Sequence, residues 1–156
     1  MILMSNSPMV VYTKLSPNFG SRNGRKITKI TPHHMSGNLS IETCGEVFAP
    51  SSRQASSNYG IGSDGRIGLY VDEANRPWTS SSYENDSQAV TIEVANSSLG
   101  GDWPVSDKAW KALVDLCVDI CKRNGIPKLI WTGGPDGTLT MHKMFAATDC
   151  PGPYLE

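Results

Sequence analysis

The 156-residue chain has almost no surplus charge, no long hydrophobic run and few histidines. Its 14 basic and 15 acidic residues leave a formal net charge of −1. The densest basic stretch, Arg22 to Lys29, is short. Nucleic-acid binding draws on a basic footprint that neutralises phosphates, and this chain has none. No segment approaches the roughly 20 apolar residues of a membrane-spanning helix. The N-terminus, MILMSNSPMVVYTK, opens apolar but lacks a charged n-region and a long apolar h-region, which makes it a poor signal peptide. Synthesis in a cytoplasm without membrane insertion is the expectation.

Cysteine is also sparse, at Cys44, Cys117, Cys121 and Cys150. Without a signal peptide these read as thiols or metal ligands, not disulfides. Cys117 and Cys121 fall four apart on a predicted helix and read as small buried residues, as does Cys44.

What is present suits one folded domain spanning residues 1–156. Hydrophobic residues make up 38% and charged residues 19%, enough apolar material for a core without a bias to disorder. Residues 1–26 are rich in Ser, Asn, Gly and Pro and read as an irregular arm. Lys26 to Thr31 alternates polar and apolar residues and predicts a strand ended by Pro32. Residues 39–49 predict a short helix capped by Ser40. Asn58–Ile61 and Ile67–Val71 predict strands around a turn at Ser63-Asp64-Gly65. Residues 74–87 read as a polar loop, with the serines at 80–82 and Asn85-Asp86 solvated. Ala89 to Ala95 is a β-branched strand.

The strongest helix signal runs from Asp107 to Asn124. Ser106 is its N-cap, Gly125 supplies a left-handed C-terminal position, and Pro127 blocks continuation. Trp110, Leu113, Val114, Cys117, Ile120 and Cys121 predict its buried stripe. Lys128 to Trp131 predicts a last strand. Strands interleaved with helices indicate an α/β fold with a single central mixed β-sheet flanked by helices. Trp78, Trp103 and Trp131 read as packing residues.

The three histidines define the candidate chemistry. His33 and His34 sit at the end of a predicted strand, and His142 precedes Cys150 by eight positions. Imidazole and thiolate are ordinary zinc ligands. The spacing alone matches no short zinc-finger pattern, so by itself it favours buried or surface histidines and a buried thiol over a metal site.

The context of these residues resembles the type-2 N-acetylmuramoyl-L-alanine amidase family. That family takes in phage endolysins, autolysins, periplasmic anhydromuramyl-peptide amidases and animal peptidoglycan-recognition proteins. ITPHHMSG is similar to its first element, HKMFAATDCPG to its last, and RQASSNYGIGSDGRIGLYVDE to its middle segment. The resemblance implies Zn2+ held by His33, His142 and Cys150, with His34 the alternative first ligand and Asp149 the minor alternative to Cys150. Two His and one Cys leave a fourth position open, as in catalytic zinc sites.

By the same resemblance Tyr59 aligns with an active-site tyrosine and Glu93 with a catalytic glutamate. Thr148 falls where some relatives carry Lys, which leaves the oxyanion stabiliser in doubt. The implied activity is zinc-dependent hydrolysis of the amide between N-acetylmuramic acid and L-alanine in bacterial peptidoglycan. The implied setting is a phage or prophage endolysin, made in a host cytoplasm and acting on the wall after release, with a wall-binding domain lying outside this chain. The alternatives are a non-catalytic peptidoglycan-binding receptor of the same fold and a zinc peptidase acting on another bond.

Overall fold

Ser40, Ser82 and Ser106 each start a helix by accepting a hydrogen bond from the backbone N–H three residues on, at Thr43, Asn85 and Ala109. This satisfies donors that have no partner within a first helical turn. The helices are α1 (Ile41–Phe48), α2 (Tyr83–Gln88) and α3 (Asp107–Asn124). The computed structural model describes residues 6–156, and the expectation for the first five residues of the arm lies outside it. Gly125 ends α3 at φ 70°, its N–H returning to the Cys121 carbonyl.

The strands are β1 (Tyr12–Thr13), β2 (Phe19–Ser21), β3 (Lys29–His34), β4 (Tyr59–Ile61), β5 (Ile67–Leu69), β6 (Asn75–Pro77) and β7 (Ala89–Val94). The main sheet has five strands in the order β1-β5-β4-β7-β3. Only β4 and β5 pair antiparallel, so the sheet is mixed. A second ribbon joins β2 to β6. No helix among the described residues is long and apolar enough to cross a membrane.

Four expectations need correction. The arm is not irregular throughout, since it supplies β1 and β2, which are too short for alternation to show in sequence. Residues 74–87 hold β6 and α2, and Ser80, Asn85 and Asp86 are buried rather than solvated. Pro32 does not end its strand, because β3 runs on to His34. Neighbouring Ile30 turns its N–H and C=O away from β7, towards Thr138 and Thr140. Pro32 has the same parity, so its missing N–H costs no bond to β7.

Lys128 to Trp131 is the fourth case and forms no strand. Its Ile130 N–H goes to the Thr138 hydroxyl and its carbonyl receives Thr138 and Leu139, so the segment folds onto its own return loop. Leu139 takes the sheet-edge position instead, bridging Ile30.

The two faces of the sheet do different work. On one, Ile30, Tyr59, Ile61, Val90, Ile92 and Val94 pack against α3. The buried stripe of α3 is Ala109, Ala112, Leu113, Leu116 and Ile120, whereas Trp110 is 48% exposed and Val114 43%. The two alanines let the helix approach the sheet, which rotates the buried face away from the predicted stripe. On the other face lies α1, with Tyr70 packed against Cys44 and Phe48. The Tyr70 ring crosses the sheet where only glycine leaves room: a Cβ on Gly60 would lie 2.6 Å from the ring.

The arm is fastened to the rest by buried polar side chains. Arg22 donates to the carbonyls of Glu73, Asp86, Ser87 and Ala89. Asn18 donates to those of Phe48, Pro50 and Ala55.

Candidate metal centre and active site

Parallel pairing of β3 with β7 sets His33 directly beside Glu93 and His34 beside Val94. Side chains alternate across a strand, so His33 and Glu93 emerge on the α1 face and His34 on the other. Both strands end here, and the site opens outside their carboxyl ends.

The loop after β3's edge partner brings in the remaining groups. His142 begins a single 3-10 turn, and the Lys143 N–H bonds the Cys150 carbonyl, closing the segment between them. The offered ligand atoms of His33, His142 and Cys150 all lie within 4.8 Å of one another. Tetrahedral zinc, with bonds of about 2.0–2.3 Å, places its ligand atoms about 3.5 Å apart. The Nδ1 of His33 is 3.3 Å from the Cys150 Sγ, and the His33 and His142 ring centroids are 4.9 Å apart. The buried Nε2 of His33 has no hydrogen-bond partner in the protein. Two imidazoles and a thiol at this spacing fit a zinc ion with one position left for another ligand.

The electrostatics of the two histidines agree with that donor set. Burial holds His33 well below the usual imidazole range, with His142 and His34 adding to the effect. Burial also lowers His142, against the pull of Asp86. Neutral imidazoles are the form that binds metal. Burial pushes the Cys150 thiol up to about 12, with Glu93 adding to it and a backbone hydrogen bond from His34 opposing it. A dication there would deprotonate the thiol outright.

Glu93 is half-buried on the strand next to His33 and lines the same pocket of about 260 Å³. Burial pushes its carboxyl up to about 8, while Arg53 pulls it down. Thr148 also lines the pocket, and its hydroxyl accepts the Cys150 N–H, which leaves its own proton to donate.

Tyr59 is not brought here. It pairs with Ile92 in register, on the α3 side of the sheet, while the neighbouring Gly60 pairs with Glu93. The Tyr59 hydroxyl donates to Glu73 and accepts the Ser7 N–H in a buried network completed by Arg123. Burial and Glu73 raise its pKa. His34 turns its ring edge-on to Trp103 and sets its Nε2 3.1 Å from the Ser36 hydroxyl. Asp149 is exposed and does not line the pocket.

Sequence reasoning missed the opposite walls. Leu39, Val47 and Phe48 form an apolar side, and Ser56, Trp78, Thr79 and Arg53 form a more polar one. Trp78 therefore lines the site, where packing had been expected. The one signal for Arg53 was its place as the sole cation in the loop PSSRQASS.

The sequence pattern of the N-acetylmuramoyl-L-alanine amidase family, Amidase_2, matches residues 23–153. The chain belongs to this amidase family. Solved structures share its fold. The AmpD selenomethionine derivative has a TM-score of 0.69 at 17% identity, over 91% of this chain and 86% of that one. The endolysin N-acetylmuramoyl-L-alanine amidase LysCS from Clostridium intestinale has 0.65 at 21%, over 95% and 90%. The Drosophila peptidoglycan recognition protein SA has 0.65 at 18%, over 90% and 85%. A search of curated proteins finds no match to this amidase-family chain.

Proposed function

We propose that this protein is a zinc-dependent N-acetylmuramoyl-L-alanine amidase that hydrolyses the amide between the lactyl group of N-acetylmuramic acid and L-alanine in bacterial peptidoglycan. The observation that carries this is the juxtaposition of Glu93 with His33, His142 and Cys150 in one pocket. His33, His142 and Cys150 would hold the zinc. Bound there, zinc supplies Lewis acidity, which acidifies water and polarises a carbonyl.

The chain's own residues account for the proton and the developing charge. Glu93 Oε accepts the proton of the attacking water and returns it to the departing alanine nitrogen. Burial pushes its carboxyl up to about 8, and a dication bound beside it would bring that value down towards neutral pH, where a general base works best. The Thr148 hydroxyl donates to the oxyanion, a neutral counterpart of a lysine at that place. Leu39, Val47 and Phe48 shield one side of the pocket from water.

Action as an endolysin, made in a host cytoplasm and reaching the wall on release, is part of the same proposal. Its support is the likeness to the Clostridium endolysin. The Drosophila recognition protein shares the fold, so a receptor without catalysis is the competing reading. Release of L-alanine amino groups from cell walls separates the two. Chelation should abolish it and zinc restore it. Glu93→Gln should lower kcat about 10²–10⁴-fold with zinc retained. Wall binding without amine release, or activity indifferent to chelation, overturns the proposal.

A further inference from the structure

Helix α3 carries two apolar stripes, and the sheet takes only one of them. Ala109, Ala112, Leu113, Leu116 and Ile120 are buried. Trp110, Val114 and Val118 repeat at i, i+4 and i+8 and stand 48%, 43% and 45% exposed. Residues at that spacing share one face of a helix. Beside this second stripe runs an apolar groove of about 690 Å³, whose far wall includes Ile126, Leu129, Trp131 and Leu155. Trp131 is itself 47% exposed. The groove shares no lining residue with the pocket that holds Glu93. A contiguous apolar surface of this kind marks an interaction site, and tryptophan is among the residues that most often carry the binding energy of a protein interface.

The charges along the stripe indicate what covers it. Asp107 and Lys122 mark its two ends, both exposed, and neither forms an ion pair with another described residue. Lys111 and Asp115, between them, already pair with each other at 2.7 Å. At about 3.6 residues per turn, Asp107 and Lys122 fall on the same side of Val114. Val114 is the midpoint of Trp110 and Val118, and the midpoint of Asp107 and Lys122 falls between Val114 and Asp115. A two-fold axis at Val114 that runs two α3 helices antiparallel therefore sets Trp110 of one beside Val118 of the other. It also sets Asp107 of each beside Lys122 of the other, offset by one residue or about 1.5 Å along the helix. A parallel pairing would oppose Asp107 to Asp107 and Lys122 to Lys122, and like charges across an interface are unfavourable. The stripe is complementary to its own copy, in the antiparallel sense.

We propose that the exposed stripe of α3 and the groove beside it bind a second copy of this chain, forming an isologous dimer in which antiparallel α3 helices meet at Val114 and Trp110 of each copy packs at the Val118 end of the other's groove.

The test is sedimentation of the whole chain over a concentration series, with melting curves to confirm that each variant is folded. The wild type should show a monomer–dimer equilibrium with a Kd of about 1–100 µM, the weaker end of specific association. Trp110→Glu should raise that Kd at least about tenfold. Asp107→Lys and Lys122→Asp should each raise it about three- to tenfold, because each then opposes like charges to itself twice. An equimolar mixture of those two variants should recover the wild-type Kd, since the mixed pair restores both contacts between opposite charges. Mixing repairs neither a damaged fold nor an unfavourable charge at a helix end, so recovery reports the interface itself. A wild type that stays monomeric throughout the series overturns the proposal and leaves the groove to a partner of another kind. A dimer indifferent to Trp110→Glu, or a mixture that associates no more tightly than its components, overturns it too.

Discussion

The Nδ1 of His33 and the Sγ of Cys150 stand 3.3 Å apart although 117 positions separate them in the chain. Strand alternation gives this contact to His33 and denies it to His34. His33→Ala, His142→Ala and Cys150→Ala should each lose stoichiometric zinc. His34→Ala should retain it. Metal content after dialysis is the measurement, and zinc loss confined to His34→Ala would reassign the first ligand.

Tyr59 should prove structural. Its hydroxyl serves Ser7 and Glu73 in the α3-side core, on the far side of the sheet from Glu93. Tyr59→Phe should cost about 1–3 kcal/mol of stability, because buried partners lose a hydrogen bond. Turnover should be little changed at a temperature where the variant stays folded. A large fall in kcat with unaltered melting would return Tyr59 to the chemistry.

The half-buried Glu93 should leave a pH signature in chelated protein. Its folded pKa, about 8, exceeds the ordinary 4.5. The fold therefore favours the protonated form, and that contribution is full below about 4.5 and is lost as pH rises through 8. His33, held low, acts oppositely and costs stability as pH falls below its ordinary 6.5. Comparing chelated wild type with chelated Glu93→Gln cancels the histidines. The Tm of Glu93→Gln relative to wild type should climb between pH 5 and about 8.5. A difference that stays flat would mean the carboxylate is well hydrated.

Gly60 tests how tightly the α1 face is packed. A Cβ there would lie 2.6 Å from a Tyr70 ring carbon and 2.7 Å from its hydroxyl. The hydroxyl is tied to the Ile41 carbonyl, which limits how far the ring can retreat. Gly60→Ala should cost about 1–3 kcal/mol in chemical denaturation.

Much of the fold was legible because its longer elements carry complete local signals. Ser106, Gly125 and the pattern between them set both ends of α3, and the β-branched run at 89–94 marked β7. The segments that escaped notice depend on distant partners. Two- and three-residue strands in the arm exist only because β5 and β6 pair with them. Leu139 displaced the KLIW segment through hydrogen bonds that no local pattern announces.

The site followed the same rule. The resemblance of ITPHHMSG and HKMFAATDCPG to the amidase family implied His33, His142, Cys150 and Glu93 as one group, and one pocket is lined by all four. Tyr59 was placed at the site by the resemblance alone, and the register of its three-residue strand, which one sequence does not state, turns it to the α3 side. Arg53 needed knowledge of which loop borders which pocket.

The arm also separates two boundaries that are easily conflated. The recognisable family pattern begins at residue 23, yet Arg22, Asn18 and Ser16 lie buried just upstream. Cutting the gene at the homology boundary would strip the carbonyls of Asp86, Ser87 and Ala89 of their donor and unbrace the turn beneath Arg53. The smallest portion able to fold thus starts earlier than the portion that evolution keeps recognisable. Anyone grafting this domain onto another protein should carry the arm with it.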